Sequence, residues 1–324
     1  MAELSFREAV AAGIAQEMTR DPMVMLLGED VGAGGGVFKA TQGLFEQFGP
    51  ERVWDTPISE QAIVGAAMGA AMTGIRPVAE IMFSDFLATC WDGIANEIAK
   101  MRYMTGGQVR VPLVIRCANG AGVHFGAQHS QSAENWAMAI PGLKVVVPSS
   151  PADAKGLLAA SIRDDDPVVF FEHKSLYPVK GEIPDGETVS SLGEAAIIRE
   201  GSDVTLLTLA WTVDLATRAA ERLNSERGIS AEVIDLRCLV PLDMTSVLRS
   251  VGKSGKLVTV EENPRPLGWG AEVASIVAEE GFDLLDGPIV RVTTAAVPLP
   301  AAPNLENAVR PSIDGVVEAV LKLF

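Results

Sequence analysis

The stretch Val53-Trp54-Asp55-Thr56-Pro57-Ile58-Ser59-Glu60-Gln61 reads as a strand end, a proline turn and a helix start with a carboxylate in its first turn. Small residues follow it: Gly65, Ala66, Ala67, Gly69, Ala70 and Ala71, up to Gly74. A helix with so few bulky side chains lets backbone or ligand approach closely. Strand, turn and helix in this order form the repeating unit of a parallel α/β sheet.

The same alternation extends in both directions. Ser5 and Glu8 form a capping box ahead of Phe6, Val10, Ile14 and Met18, which fall at near-helical spacing. Residues 24–27 read as a buried strand and 32–36 as a flexible loop. Beyond the small-residue helix, 77–83 reads as a strand and 85–104 as one long helix ended by Gly106-Gly107. Strands are predicted at 111–116, 143–147 and 168–171, with a helix at 151–163 that Pro151 opens. Continuous apolar strands between helices indicate a parallel sheet covered on both faces. Residues 174–194 lack long apolar runs and are rich in Gly, Pro and Glu, as a linker is. A second alternation then begins at Asp203, with strands at 204–209, 231–236, 257–260 and 289–292 and a closing helix at 313–323. The expected architecture is α/β, two parallel-sheet domains at 1–180 and 196–324 joined by a linker at 181–195.

Composition sets limits on function. Hydrophobic residues make up 48% of 324, enough for sizeable cores. The net charge of −16 disfavours nucleic acid or an anionic membrane as partner, because both need positive potential. Cys90, Cys117 and Cys238 are far apart and odd in number, so reduced thiols in a cytoplasmic protein are expected. Met1 leads into a polar segment, which does not read as a signal peptide. The most apolar window, 62–72, is too short to span a membrane.

Several residues invite chemistry and also have plainer readings. Glu60 could be a helix-start acid stabilised by the macrodipole. His129 lies in the second polar cluster, Gly126-Ala127-Gln128-His129-Ser130-Gln131, where Ser130 could fix its tautomer. A loop histidine is more often a structural hydrogen-bonder. His124 shares the loop, and His173 follows a strand and looks structural. Met82, Phe83 and Phe86 could be core. Asp164-Asp165-Asp166 would end a helix with the wrong sign for its dipole, which a bound cation could offset.

The sequence Asp55-Thr56-Pro57-Ile58-Ser59-Glu60, followed by Gly126-Ala127-Gln128-His129-Ser130-Gln131, resembles the beta subunits of thiamine-diphosphate-dependent 2-oxoacid dehydrogenases, acetoin dehydrogenase included. The match runs over nearly the whole chain. The resemblance implies a transketolase-like pyrimidine-binding domain followed by a transketolase C-terminal-type domain. It gives Glu60 the role of protonating N1′ of the cofactor's aminopyrimidine, which activates the thiazolium carbon. It places His129 at the thiazolium end, handling protons and assisting transfer to lipoyl sulfur. Ile58, Met82 and Phe86 would contact the pyrimidine, while Phe83 stays in the core. Leu113, Ser161, Ile162, Asp164 and Asp166 would hold a structural potassium ion, largely through carbonyls. The helix bearing Gly65 and Gly69 would lie at a subunit interface.

One motif is missing. Thiamine-diphosphate enzymes anchor the diphosphate through Mg²⁺ on Gly-Asp-Gly followed by Asn-Asn, and this sequence contains neither. The resemblance therefore implies an alpha subunit that holds Mg²⁺, a second beta subunit in an alpha2–beta2 heterotetramer, and a lipoyl acyltransferase core that docks the C-terminal region. The run Glu80 to Phe86, with Tyr103 to Gln108, looks most like acetoin dehydrogenase, with pyruvate and branched-chain 2-oxoacid dehydrogenases close behind. The rivals are a non-catalytic scaffold subunit and a single-chain enzyme such as deoxyxylulose phosphate synthase. Having both Glu60 and His129 argues against the first, and length with the missing motif against the second.

Overall fold

The computed structural model describes residues Ala2–Phe324. They form two compact units. One comprises residues up to Gly120 together with Trp136–Leu192; the other comprises Ala121–Asn135 together with Gly193–Phe324.

In the first unit, β1 (Ala2–Ser5) pairs antiparallel with β8 (Lys180–Ile183). The main strands are β2 (Val24–Gly28), β3 (Val53–Asp55), β4 (Arg76–Phe83), β5 (Val114–Asn119), β6 (Lys144–Val146) and β7 (Val168–His173). They lie side by side in the order β6-β7-β5-β4-β2-β3, and every pairing is parallel. The chain runs outward from β2 to β3, then returns past β2 to build β4 and β5 on the other side. Such a reversal opens a crevice beyond the carboxyl ends of the strands, where ligands of α/β sheets bind. β2, β5 and β7 are buried throughout, as strands covered on both faces must be.

The helices start where the sequence signals them. The Glu8 carboxylate accepts from both the backbone N–H (2.7 Å) and the hydroxyl (2.5 Å) of Ser5, fixing the start of the helix Phe6–Arg20. Ser150 caps the helix Pro151–Arg163 by accepting the Asp153 N–H at 3.2 Å. The predicted long helix at 85–104 is broken. Ser84–Cys90 is tightly wound, Gly93–Ile98 is over-wide, and Met101–Met104 is one α-helical turn. Leu87, Cys90, Ile94 and Ile98 still point inward, because apolar spacing does not separate three-, four- and five-residue hydrogen-bond ladders. The expected linker opens on strand β8.

The second unit carries β9 (Ala196–Arg199), β10 (Val204–Thr208), β11 (Ala231–Asp235), β12 (Cys238–Val240), β13 (Leu257–Pro264) and β14 (Val290–Thr294). Its sheet runs β14-β13-β10-β11-β9, parallel except for the edge strand β9. The helices Thr212–Arg227 and Ile313–Leu321 bury Ala216, Ala220, Leu223, Val316 and Val320 in one core with Leu206, Val233 and Val258 of the sheet. No helix of the described residues is long and apolar enough to cross a membrane. All three cysteines are buried and outside any disulfide among the described residues.

Candidate active site

Three strand ends build the crevice of the first unit. Gly28 at the end of β2 lies beside Asp55 of β3 and Glu80 of β4. The Thr56 N–H extends this alignment by donating to the Gly28 carbonyl at 2.9 Å. Asp55 accepts the Gly32 N–H at 2.7 Å, and a Cβ on Gly32 would stand 2.6 Å from that carboxylate, so only glycine fits there. Pro57 and an 82% exposed Ile58 make the turn, and Glu60 opens the helix Glu60–Met72 half-buried.

Glu60 has charged company. Burial first, and then the charges of Glu60, Asp30 and Glu80, push the Glu29 carboxyl above the ordinary carboxylate range. Burial, with the Glu60 charge behind it, pushes the Cys90 thiol up to about 12. Glu29 is a candidate site residue absent from the sequence-based set. Its signal was a carboxylate immediately after a buried strand that feeds a switch point.

The apolar wall comes from the end of β4. Phe86 is half-buried and meets Phe83 edge-on at 5.5 Å, and Met82 is also half-buried. Phe83 is core, as expected: it is buried and meets Phe38 edge-on at 5.5 Å. Beneath this wall lies a buried ion network. Arg116 grips Glu172 through two 2.7 Å bonds, pairs with Glu80, and sees Tyr177 donate to Glu172 at 2.9 Å.

The structure thus brings Glu60, Ile58, Met82 and Phe86 to one unit. His129 belongs to the other. It is half-buried, and its backbone N–H donates to the Gly126 carbonyl at 3.3 Å. The Ser130 hydroxyl is buried without a hydrogen-bond partner, so it does not hold the His129 ring. The loop is instead anchored by its own unit. Glu262 accepts from the Ser132 hydroxyl (2.8 Å), the Ala121 N–H (3.2 Å) and Arg310 (2.9 Å). Glu306, fully buried, accepts the Gly122 N–H at 3.1 Å and stands 2.6 Å from Nδ1 of His124. His173 is buried with Nδ1 2.8 Å from the Ser175 hydroxyl, a structural role.

The residues assigned to potassium are also brought together, and their oxygens take hydrogen bonds and ion pairs within the chain. The Leu113 carbonyl accepts the Val168 N–H at 2.9 Å, and that of Ser161 accepts the Asp164 N–H at 3.3 Å. The carbonyls of Ile162 (3.0 Å) and Asp164 (2.9 Å) accept from Arg76. The Asp164 carboxylate meets Lys144 at 2.5 Å, and that of Asp166 pairs with Arg102.

Comparison with known proteins places this geometry. Residues 2–180 match the transketolase pyrimidine-binding domain and residues 193–316 the transketolase C-terminal domain. The beta subunit of acetoin:2,6-dichlorophenolindophenol oxidoreductase of Bacillus subtilis is 47% identical, covering 99% of this chain and 97% of its own. The beta subunit of 2-oxoisovalerate dehydrogenase from the same organism is 46% identical over 100% of this chain and 99% of its own. Subunit beta-1 of the mitochondrial pyruvate dehydrogenase E1 component of Arabidopsis thaliana is 47% identical over 98% and 88%. The chain belongs to the beta subunits of thiamine-diphosphate-dependent dehydrogenases. A solved split-gene transketolase, described as an inactive beta4 tetramer, superposes on this beta subunit with a TM-score of 0.82 at 26% identity, covering 99% of the chain and 98% of its own. The expected α/β class and its two transketolase-type domains hold for this beta subunit.

Proposed function

We propose that the chain supplies the pyrimidine half of a thiamine-diphosphate site in a cytoplasmic alpha2–beta2 heterotetramer that delivers an acyl group to a lipoyl acyltransferase core. The observation carrying this reading is the placement of Glu60. It opens a helix at the switch point of the sheet, close enough to Glu29 to help raise that carboxyl. The neighbouring groups suit an aminopyrimidine. The Thr56 hydroxyl is buried without a hydrogen-bond partner, and half-buried Phe86 and Met82 offer an apolar wall. Such a ring needs both polar partners and a flat contact.

When bound, the cofactor supplies a nucleophilic thiazolium carbon. Glu60 holds the proton at N1′ of the pyrimidine. Phe86 and Met82 orient the ring, with Ile58 at the edge. His129 moves protons on the substrate side and assists transfer to the lipoyl sulfur. Mg²⁺ and the diphosphate fall to the alpha subunit, since this sequence has no Gly-Asp-Gly motif. Acetoin is the favoured substrate, on the residue runs from Glu80 and Tyr103, ahead of pyruvate and branched-chain 2-oxoacids.

Coexpression with an alpha subunit, followed by a substrate panel, tests the reading. Acetoin-dependent, lipoamide-linked turnover by the pair is expected, with none from the isolated chain. Calorimetry adds a second readout: submicromolar cofactor binding by the isolated chain would overturn the division of the site between subunits.

A further inference from the structure

Between the end of the helix Pro151–Arg163 and the start of β4 lies a dense charge cluster that no part of the proposed reaction uses. Carbonyls at a helix C-terminus lack helical partners and carry the negative end of the dipole. Arg76 faces two of them. Its Nη1 bridges the carbonyls of Ile162 and Asp164, at 3.0 and 2.9 Å, while Nη2 donates to Asp165 at 2.7 Å. The Arg76 backbone N–H is tied to the Met23 carbonyl at 2.9 Å, so the sheet itself sets where this guanidinium starts. Its side chain is only 22% exposed.

The surrounding charges are balanced. Asp164 pairs with Lys144, Asp165 with Arg110 as well as Arg76, and Asp166 with Arg102 and, at 3.8 Å, Lys144. Asp21 stands 3.9 Å from Arg76. These four carboxylates therefore meet Arg76, Arg102, Arg110 and Lys144, with Arg20 also 3.8 Å from Asp21. An ion bridging the Ile162 and Asp164 carbonyls would have to share both oxygens with Nη1, close to a like charge.

We propose that the guanidinium of Arg76 is the built-in cation of this helix end, so that the chain holds no potassium ion there and requires none. A fixed cation caps the helix end at any ionic composition. The planar fork reaches two carbonyls and a carboxylate from two pre-oriented nitrogens, whereas an ammonium on a flexible stem is a single point charge.

The test has two arms on the full chain. Thermal unfolding is followed in potassium, sodium and choline chloride at equal ionic strength. Crystals are soaked in thallium(I), a potassium mimic located by its anomalous scattering. The expected result for the wild type is one midpoint in all three salts and no thallium within bonding distance of the Ile162 and Asp164 carbonyls. Arg76→Ala should lower the midpoint, regain part of the loss selectively in potassium, and admit thallium at those carbonyls. A thallium peak on those carbonyls in the wild type overturns the proposal, as does a saturable, potassium-selective rise of the wild-type midpoint. Both wild-type arms decide the matter even if Arg76→Ala does not fold.

Discussion

Replacing Arg116 by methionine should damage the first unit more than any other single change to its polar groups. The guanidinium is 2% exposed, Glu172 is 0% and Glu80 10%. Methionine fills part of the volume but leaves two buried carboxylates without their cation. Removing one partner from a buried pair costs about 3–5 kcal/mol. Since about 1.4 kcal/mol is a decade, amide exchange in β4, β5 and β7 should quicken by roughly two to four decades. Peptide-resolved hydrogen exchange is the right assay, because two compact units need not unfold in one step.

The penalty should also depend on pH. Burial raises the Glu80 carboxyl above its ordinary value, although Arg116 beside it pulls the other way. A carboxyl raised in the folded state binds more protons folded than unfolded, so stability falls as pH rises through that window. Taking Arg116 away removes the downward pull, lifts Glu80 further and extends the window upward. The loss in Arg116→Met should therefore be larger at pH 8 than at pH 5. Adding Glu80→Gln and Glu172→Gln should recover much of it. A loss under about 1 kcal/mol, the size of an exposed pair, or one that grows toward pH 5, would refute the reasoning.

Other expectations concern the proposed reaction. Glu60→Gln keeps the shape but cannot hand a proton to N1′, so turnover by the heterotetramer should fall about 100-fold or more with unfolding unchanged; unchanged C2 proton exchange by NMR would remove Glu60 from the mechanism. His129→Ala should damage transfer to lipoamide while leaving assembly and cofactor affinity nearly intact, and full lipoamide-linked activity would contradict that role. A Cβ at Gly65 or Gly69 meets nothing within 4 Å in this chain. Gly69→Ala should thus stabilise the isolated chain by about 0.5–1 kcal/mol, whereas Gly69→Leu should block assembly, as read by light scattering; normal heterotetramers from Gly69→Leu would exclude this face from the interface. Rising salt should weaken docking of the acyltransferase to a chain of net charge −16, and a flat salt response by surface plasmon resonance would argue against electrostatic steering.

Much of the fold was legible because buried parallel strands are written as continuous apolar runs. Val24 to Leu27 and Val204 to Thr208 could hardly be anything else. Helix starts at Phe6 and Pro151 were legible because a capping box and a first-turn proline are local signals. What escaped was long-range. Strand β1 forms only because Lys180–Ile183 returns beside it across most of the first unit. The break of the segment 84–104 is tied to packing: a Cβ on Gly93 would come within 3.1 Å of Gln61 and Val64. The Arg116 network was partly visible, as single charges inside the apolar runs of β4, β5 and β7. Their union required the register that sets Arg116 beside Glu80. At the site, the resemblance supplied Glu60 directly, whereas Glu29 needed the knowledge that β2 and β3 end together.

On the proposed reading, the helix Glu60–Met72 ties assembly to chemistry. Its inner side buries Ile63, Val64, Ala67 and Ala71, which alone would anchor it to the sheet. A helix that faces water on its other side carries charged residues there. This one exposes Gln61, Ala62, Gly65, Ala66 and Gly69 instead, next to an exposed Ile58. Such a face gains little from water and offers a close approach to another backbone. Glu60 sits at the head of that same helix and is only half-buried within the chain. Any subunit that closes on the small-residue face must therefore also cover Glu60 and strip water from it. On the proposed reading, the carboxylate reaches its working environment only in the assembled enzyme, and the isolated beta subunit lacks both the diphosphate motif and a closed site around Glu60.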